Sequence, residues 1–161
     1  MNLYEEMLAE LSEDLIIDDK AILPETMKGF YTHTTNNEKV ILLRKDLNTS
    51  AEFACTLVEE VAHHYITAGD ITDQSKIENR KQEYKARRWA VKKLIRIEDL
   101  VEAHKTGITS RFELADYLNV TEEFLDMALD HFKSIYGQAH AMGEYIVYFE
   151  PLGILRKFVE K

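Results

Sequence analysis

A single cysteine, Cys55, excludes any disulfide within the chain, so burial of apolar surface must hold the fold together. Two prolines and six glycines in 161 residues leave little material for linkers, which predicts one domain, or a domain with a small appendage. No run of eighteen apolar residues occurs, so no membrane span is expected. The N-terminal stretch MNLYEEMLAELSEDL is acidic and amphipathic, which is wrong for a signal peptide. A lone Cys and no leader point to a reducing, cytoplasmic setting. Cys55 itself reads as a small buried hydrophobe on a helix.

Positive charge is also scarce. Twenty Lys and Arg stand against 29 Asp and Glu, for a net charge of −9, which disfavours non-specific nucleic-acid binding by the whole chain. Residues 76–96 reverse the balance, with nine Lys or Arg against two Glu. That run is either a solvated helix face or a docking surface for an acidic partner.

What is present is ordinary core material: 45% of the residues are hydrophobic and 30% charged, enough to bury a real interior. Leu3, Met7, Leu8, Leu11 and Leu15 recur at helical spacing, predicting a helix over 2–15. GFYTHT (29–34) and KVILLRK (39–45) read as two strands around a turn at Thr35-Asn36-Asn37-Glu38. Capping boxes at Thr49/Glu52, Ser75/Glu78 and Ser110/Glu113 start three helices. The first should run to about Tyr65 and stop near Gly69, and the second to about Ile95. A shorter helix through Ile97, Leu100 and Val101 follows, ending before Gly107. Residues 110–137 form a helical pair whose second member starts at Thr121 and closes at Gly137. YIVYFEP (145–151) reads as one late strand. The fold class is α+β, mostly helical, with a small antiparallel sheet. A boundary after residue 108 divides a core, 1–108, from a C-terminal helical subdomain, 109–161.

The chemistry concentrates in Glu59-Glu60-Val61-Ala62-His63-His64, one residue away from the H-E-x-x-H helix of zinc peptidases. Residues four apart share a helix face, so Glu59 and His63 project together and suit one cation. Glu60 sits about a quarter-turn round, where a general base stands to take a proton from water. Glu60 and His64 form a second pair of the same spacing, and spacing alone does not choose the register. A catalytic zinc takes three protein ligands. Glu83, twenty residues beyond His63, is a candidate third; it is equally well placed for a salt bridge to Arg87. The plain alternative is a charged helix end with solvated carboxylates and a half-exposed His pair. His33, His104, His131 and His140 have no ligand spacing.

LVEEVAHHYITAGDI, followed by NRKQEYKARRWAVKKLI, resembles the ImmA/IrrE family of metallopeptidases, in the versions carried by phages and integrative elements of Gram-positive bacteria. KGFYTHTTNNEKVILLRKDL is similar to the hairpin that precedes the family's H-E-x-G-H-H helix. The resemblance covers roughly residues 25–137. It implies a zincin-like core and zinc-dependent proteolysis in the cytoplasm of a bacterial host, on helix-turn-helix repressors. By that resemblance Glu59, His63 and Glu83 hold the metal and Glu60 is the base. His64 then orients substrate or stabilises an oxyanion. Glu59 departs from the family's His. A Glu-His-Glu shell carries two negative charges rather than one, which weakens the ion's pull on water and relaxes the preference for zinc towards manganese or iron. The alternative function is a non-catalytic module that sequesters a repressor or another protein without cutting it. RFELADYLNVTEEFLDMAL resembles a helix-turn-helix, but residues 109–137 hold six acidic residues against Arg111 and Lys133, which argues against direct nucleic-acid binding.

Overall fold

The computed structural model describes residues 1–66 and 77–158. They form two compact units, Met1–Lys93 and Leu94–Lys161.

The first unit opens with α1 (Leu3–Leu11). Asn2 caps it in a reciprocal box with Glu5, satisfying orphan N–H groups at the helix start. The helix is shorter than expected because Ser12 and Asp14, whose side chains compete for backbone hydrogen bonds, favour a turn over helix continuation. Leu15 is nonetheless buried. Three strands follow: β1 (Ile16–Ala21), β2 (Gly29–His33) and β3 (Lys39–Arg44). Their order is β1-β3-β2, so the sheet is mixed: β1 runs parallel to β3 and β2 antiparallel to it. The predicted hairpin is the β2–β3 pair, with Asn37 at φ 62° in its turn. No strand was expected at β1, whose Asp18-Asp19-Lys20 segment masks the pattern. Those charges are tolerated because β1 is an edge strand with only one of its sides paired. Ile41 and Leu43 of β3 have no solvent exposure, and they face α2 (Ser50–Ile66).

The start of α2 follows its sequence signal. Thr49 Oγ1 accepts from the Glu52 N–H at 3.1 Å, and the Glu52 carboxylate takes the Asn48 N–H at 2.6 Å. Ala54, Leu57, Val58, Val61 and Ala62 are fully buried, which fixes the rotation of the helix about its axis. The predicted stop at Gly69 and the cap residue Ser75 lie outside the described residues. α3 (Ile77–Leu94) buries only Asn79, Ala86, Ala90 and Val91, and leaves its basic residues towards solvent.

The second unit contains α4 (Ile97–Lys105), α5 (Arg111–Leu118) and α6 (Glu122–Tyr136). Ser110 and Thr121 cap α5 and α6 through bonds of 3.1 Å to the N–H groups of Glu113 and Phe124. Asn119 at φ 56° makes the tight turn between them. The expected helical pair is therefore present, but the single late strand is corrected. A three-stranded antiparallel sheet ends the described chain: β4 (Ala139–Met142), β5 (Tyr145–Phe149) and β6 (Leu152–Arg156), in that order. YIVYF is its central strand. β4 is four residues of weak strand formers, Ala-His-Ala-Met, and β6 carries Gly153 at its second position, so neither shows the β-branched and aromatic pattern of β5. The class is α+β. No helix among the described residues is long and apolar enough to cross a membrane.

Candidate active site

The burial of Val58, Val61 and Ala62 turns the opposite shoulder of α2 towards β2 and α3. Glu59, Glu60, His63 and His64 occupy that shoulder, all half-buried. The structure brings His63 and Glu83 together across two helices: His63 Nε2 lies 3.9 Å from Glu83 Oε2. The other carboxylate oxygen of Glu83 lies 3.6 Å from Arg87 Nε. Glu83 therefore stands between His63 of α2 and Arg87 of its own helix.

Glu60 sits beneath β2. The Tyr31 backbone N–H donates to its carboxylate. Burial still pushes its pKa up to about 7, helped by the negative charges of Glu59 and Glu83. Gly29 makes this approach possible: a Cβ there would stand 2.7 Å from Thr56 Cγ2 and 3.0 Å from Glu60 Cγ. The strand can lie on the helix only because position 29 has no side chain. Burial holds the His63 imidazole below its ordinary pKa, with the Glu83 charge pulling the other way. Burial also lowers His64, assisted by Lys39 and opposed by Asp14. Both rings therefore favour the neutral form.

Tyr31 is a residue that sequence reasoning missed. Its Oη lies 2.9 Å from His64 Nδ1, and the two rings meet edge to face at 5.4 Å. His64 in turn packs on Tyr65 at 4.7 Å, and Tyr65 on Trp89 of α3 at 5.6 Å. The only sequence signal was an aromatic in the centre of β2, the first strand of the hairpin that precedes the motif helix.

Two donor atoms on one tetrahedral zinc stand roughly 3.4 Å apart, given metal–ligand distances near 2.1 Å. The 3.9 Å between His63 and Glu83 is within a small side-chain adjustment of that. No group of three His, Cys, Asp or Glu side chains among the described residues converges closely enough to hold an ion as it stands. The chemistry of the set nevertheless fits a divalent cation: three carboxylates whose charges oppose one another around Glu60, beside an imidazole held neutral.

A helix bearing E-E-x-x-H-H, packed under a small sheet and facing a carboxylate from the next helix, is the arrangement that a metallopeptidase reading requires. The comparison with protein families agrees. The model of a peptidase family described as IrrE N-terminal-like domain matches residues 13–130, and the chain belongs to that family. Membership implies a metal cofactor, typically zinc, and a protein substrate. No curated protein and no solved structure matches the chain.

Proposed function

We propose that the protein is a metal-dependent endopeptidase of a bacterial mobile element or prophage, acting in the cytoplasm on a helix-turn-helix repressor. The observation that carries this reading is the approach of His63 to Glu83 across two helices, beside the half-buried Glu60. In this reading Glu59, His63 and Glu83 hold the ion. A divalent cation held there supplies Lewis acidity to water and to the peptide carbonyl, zinc being the usual choice and manganese or iron admitted by the carboxylate-rich shell. Glu60 takes a proton from the attacking water and returns it to the leaving amine. In the same reading His64, half-buried beside β2, orients substrate or stabilises an oxyanion. The repressor as substrate rests on the family resemblance alone.

The test is digestion of a panel of helix-turn-helix repressors, and of a proteome-derived peptide library, by protein loaded with zinc, manganese or iron. New N-termini are read by mass spectrometry. Cleavage that disappears in Glu60→Gln supports the reading. Absence of cleavage with all three metals, or cleavage unchanged in Glu60→Gln, ends it.

A second reading, a non-catalytic module that sequesters its protein partner, is favoured by the departure at Glu59, which replaces the family's His. Stoichiometric repressor binding without products distinguishes it from the enzyme.

A further inference from the structure

We propose that Tyr31 is a positioning residue that sets both members of the Glu60/His64 pair, and that it makes His64 a hydrogen-bond donor towards substrate. Tyr31 on a strand and His64 on a helix, 33 residues apart in sequence, meet in a contact that no spacing rule contains.

Two arms of one residue carry it. The register of β2 against β3 pairs Phe30 with Leu42 and Thr32 with Val40. The bonds that close this ladder, Thr34 N–H to the Glu38 carbonyl and Arg44 N–H to the Lys28 carbonyl, place the even-numbered residues of β2 in its hydrogen-bonded pairs. The main-chain groups of Tyr31 therefore point away from β3, off the open edge of the sheet. Its N–H is taken there by the Glu60 carboxylate. Its side chain reaches one helical turn further along α2, where the hydroxyl meets His64 Nδ1 at 2.9 Å. Glu60 and His64 are four residues apart on α2, so one strand residue spans the turn that separates them. Gly29, two residues earlier on the same side of β2, lets the strand descend far enough for both contacts.

The hydroxyl contact has a preferred polarity. The sp² nitrogen of a neutral imidazole is a better acceptor than a phenol oxygen, whose lone pair is delocalised into its ring. Tyr31 O–H therefore donates to Nδ1, and the ring proton sits on Nε2. Edge contacts with Tyr31 at 5.4 Å and Tyr65 at 4.7 Å fix the plane of the imidazole. A half-buried histidine with one nitrogen tied down and its ring clamped on two sides presents its remaining N–H in a fixed direction. That is what a donor to a carbonyl oxygen gaining negative charge requires. A histidine kept only for packing needs the ring contacts but not the hydroxyl.

The donor role towards substrate rests on the peptidase reading, whereas the tautomer does not, and the experiment separates the two. Long-range ¹H–¹⁵N correlation spectra of the chelator-treated full chain report the His64 tautomer directly. The expected result is Nε2–H in the wild type and a shift towards a mixture of tautomers in Tyr31→Phe, which keeps the ring. A wild-type Nδ1–H tautomer, or identical His64 spectra in the two proteins, overturns the proposal whether or not the protein cleaves anything. On a cleaved peptide from the library, Tyr31→Phe should lower kcat by roughly 10–100-fold with KM nearly unchanged. In a His64→Gln background the same substitution should add no further loss. Additive losses in that double-mutant cycle would overturn the positioning role.

Discussion

Glu60 ionises in a place that already holds the charges of Glu59 and Glu83. Below the ordinary carboxyl value of about 4.5 it is protonated in both folded and unfolded chains, and no penalty arises. Between there and about 7 the unfolded chain releases the proton while the folded chain keeps it, so stability falls as pH rises. Above about 7 the loss is complete. At ~1.4 kcal/mol per tenfold change in proton affinity, it amounts to about 3 kcal/mol. Chelator-treated Glu60→Gln should therefore match the wild type near pH 4 and exceed its unfolding free energy by about 2–3 kcal/mol near pH 8 in urea titrations. Equal stabilities at both pH values would show that the carboxylate is not strained. A cation bound by Glu59, His63 and Glu83 should offset the same repulsion. Zinc at a hundred times its dissociation constant would add about 2.7 kcal/mol to the folded state, a clear rise in Tm that chelator reverses. His63→Ala should abolish that rise; a rise surviving in His63→Ala would move the metal elsewhere.

The contact between β2 and α2 is the element that assembles the site, and it hangs on Gly29. Alanine there would press a methyl to 2.7 Å from Thr56 Cγ2, closer than carbon atoms tolerate. Gly29→Ala should cost about 1–3 kcal/mol by overpacking and lift β2 from the helix. Thr56→Ser removes that methyl, so the double variant should regain part of the loss in thermal melts. No recovery would mean that Glu60, not Thr56, sets the spacing. The elements that were legible in the sequence are those with a local cause. The caps at Thr49, Ser110 and Thr121 are bonds to an N–H three residues away, and the β2–β3 turn sits between its own strands. β1 was hidden because its Asp-Asp-Lys core looks polar, and its partner β3 lies more than twenty residues downstream. β4 and β6 were hidden by composition, Ala-His-Ala-Met in one and a glycine within the other. The motif on α2 was legible because i,i+4 pairing is local, and Glu83 because the resemblance names its helix. Tyr31 was not, since only the folded sheet carries it to His64.

Across the whole molecule, charge decides which partners the helical pair of the second unit meets. α5 and α6 follow one another through a left-handed turn at Asn119, in the manner of a DNA-reading pair. Its two cations are both engaged, Arg111 with Asp126 and Lys133 with Glu150. Glu113, Asp116, Glu122, Glu123 and Asp130 leave the pair acidic, within a chain of net charge −9. A reader of duplex DNA needs Lys and Arg to neutralise phosphates, each displacing a condensed counterion. With its cations already paired to carboxylates, this pair offers phosphate repulsion and no compensating release. Fluorescence anisotropy with a labelled duplex, at low salt and protein up to roughly 10 μM, where non-specific binders begin to saturate, should show no titratable change. Binding that weakens steeply with added salt would place an unrecognised cationic surface on the molecule, and the basic run of α3 would be the first place to look. In that case Lys81→Glu and Lys85→Glu should abolish it, whereas Arg111→Glu, already neutralised by Asp126, should leave it almost unchanged.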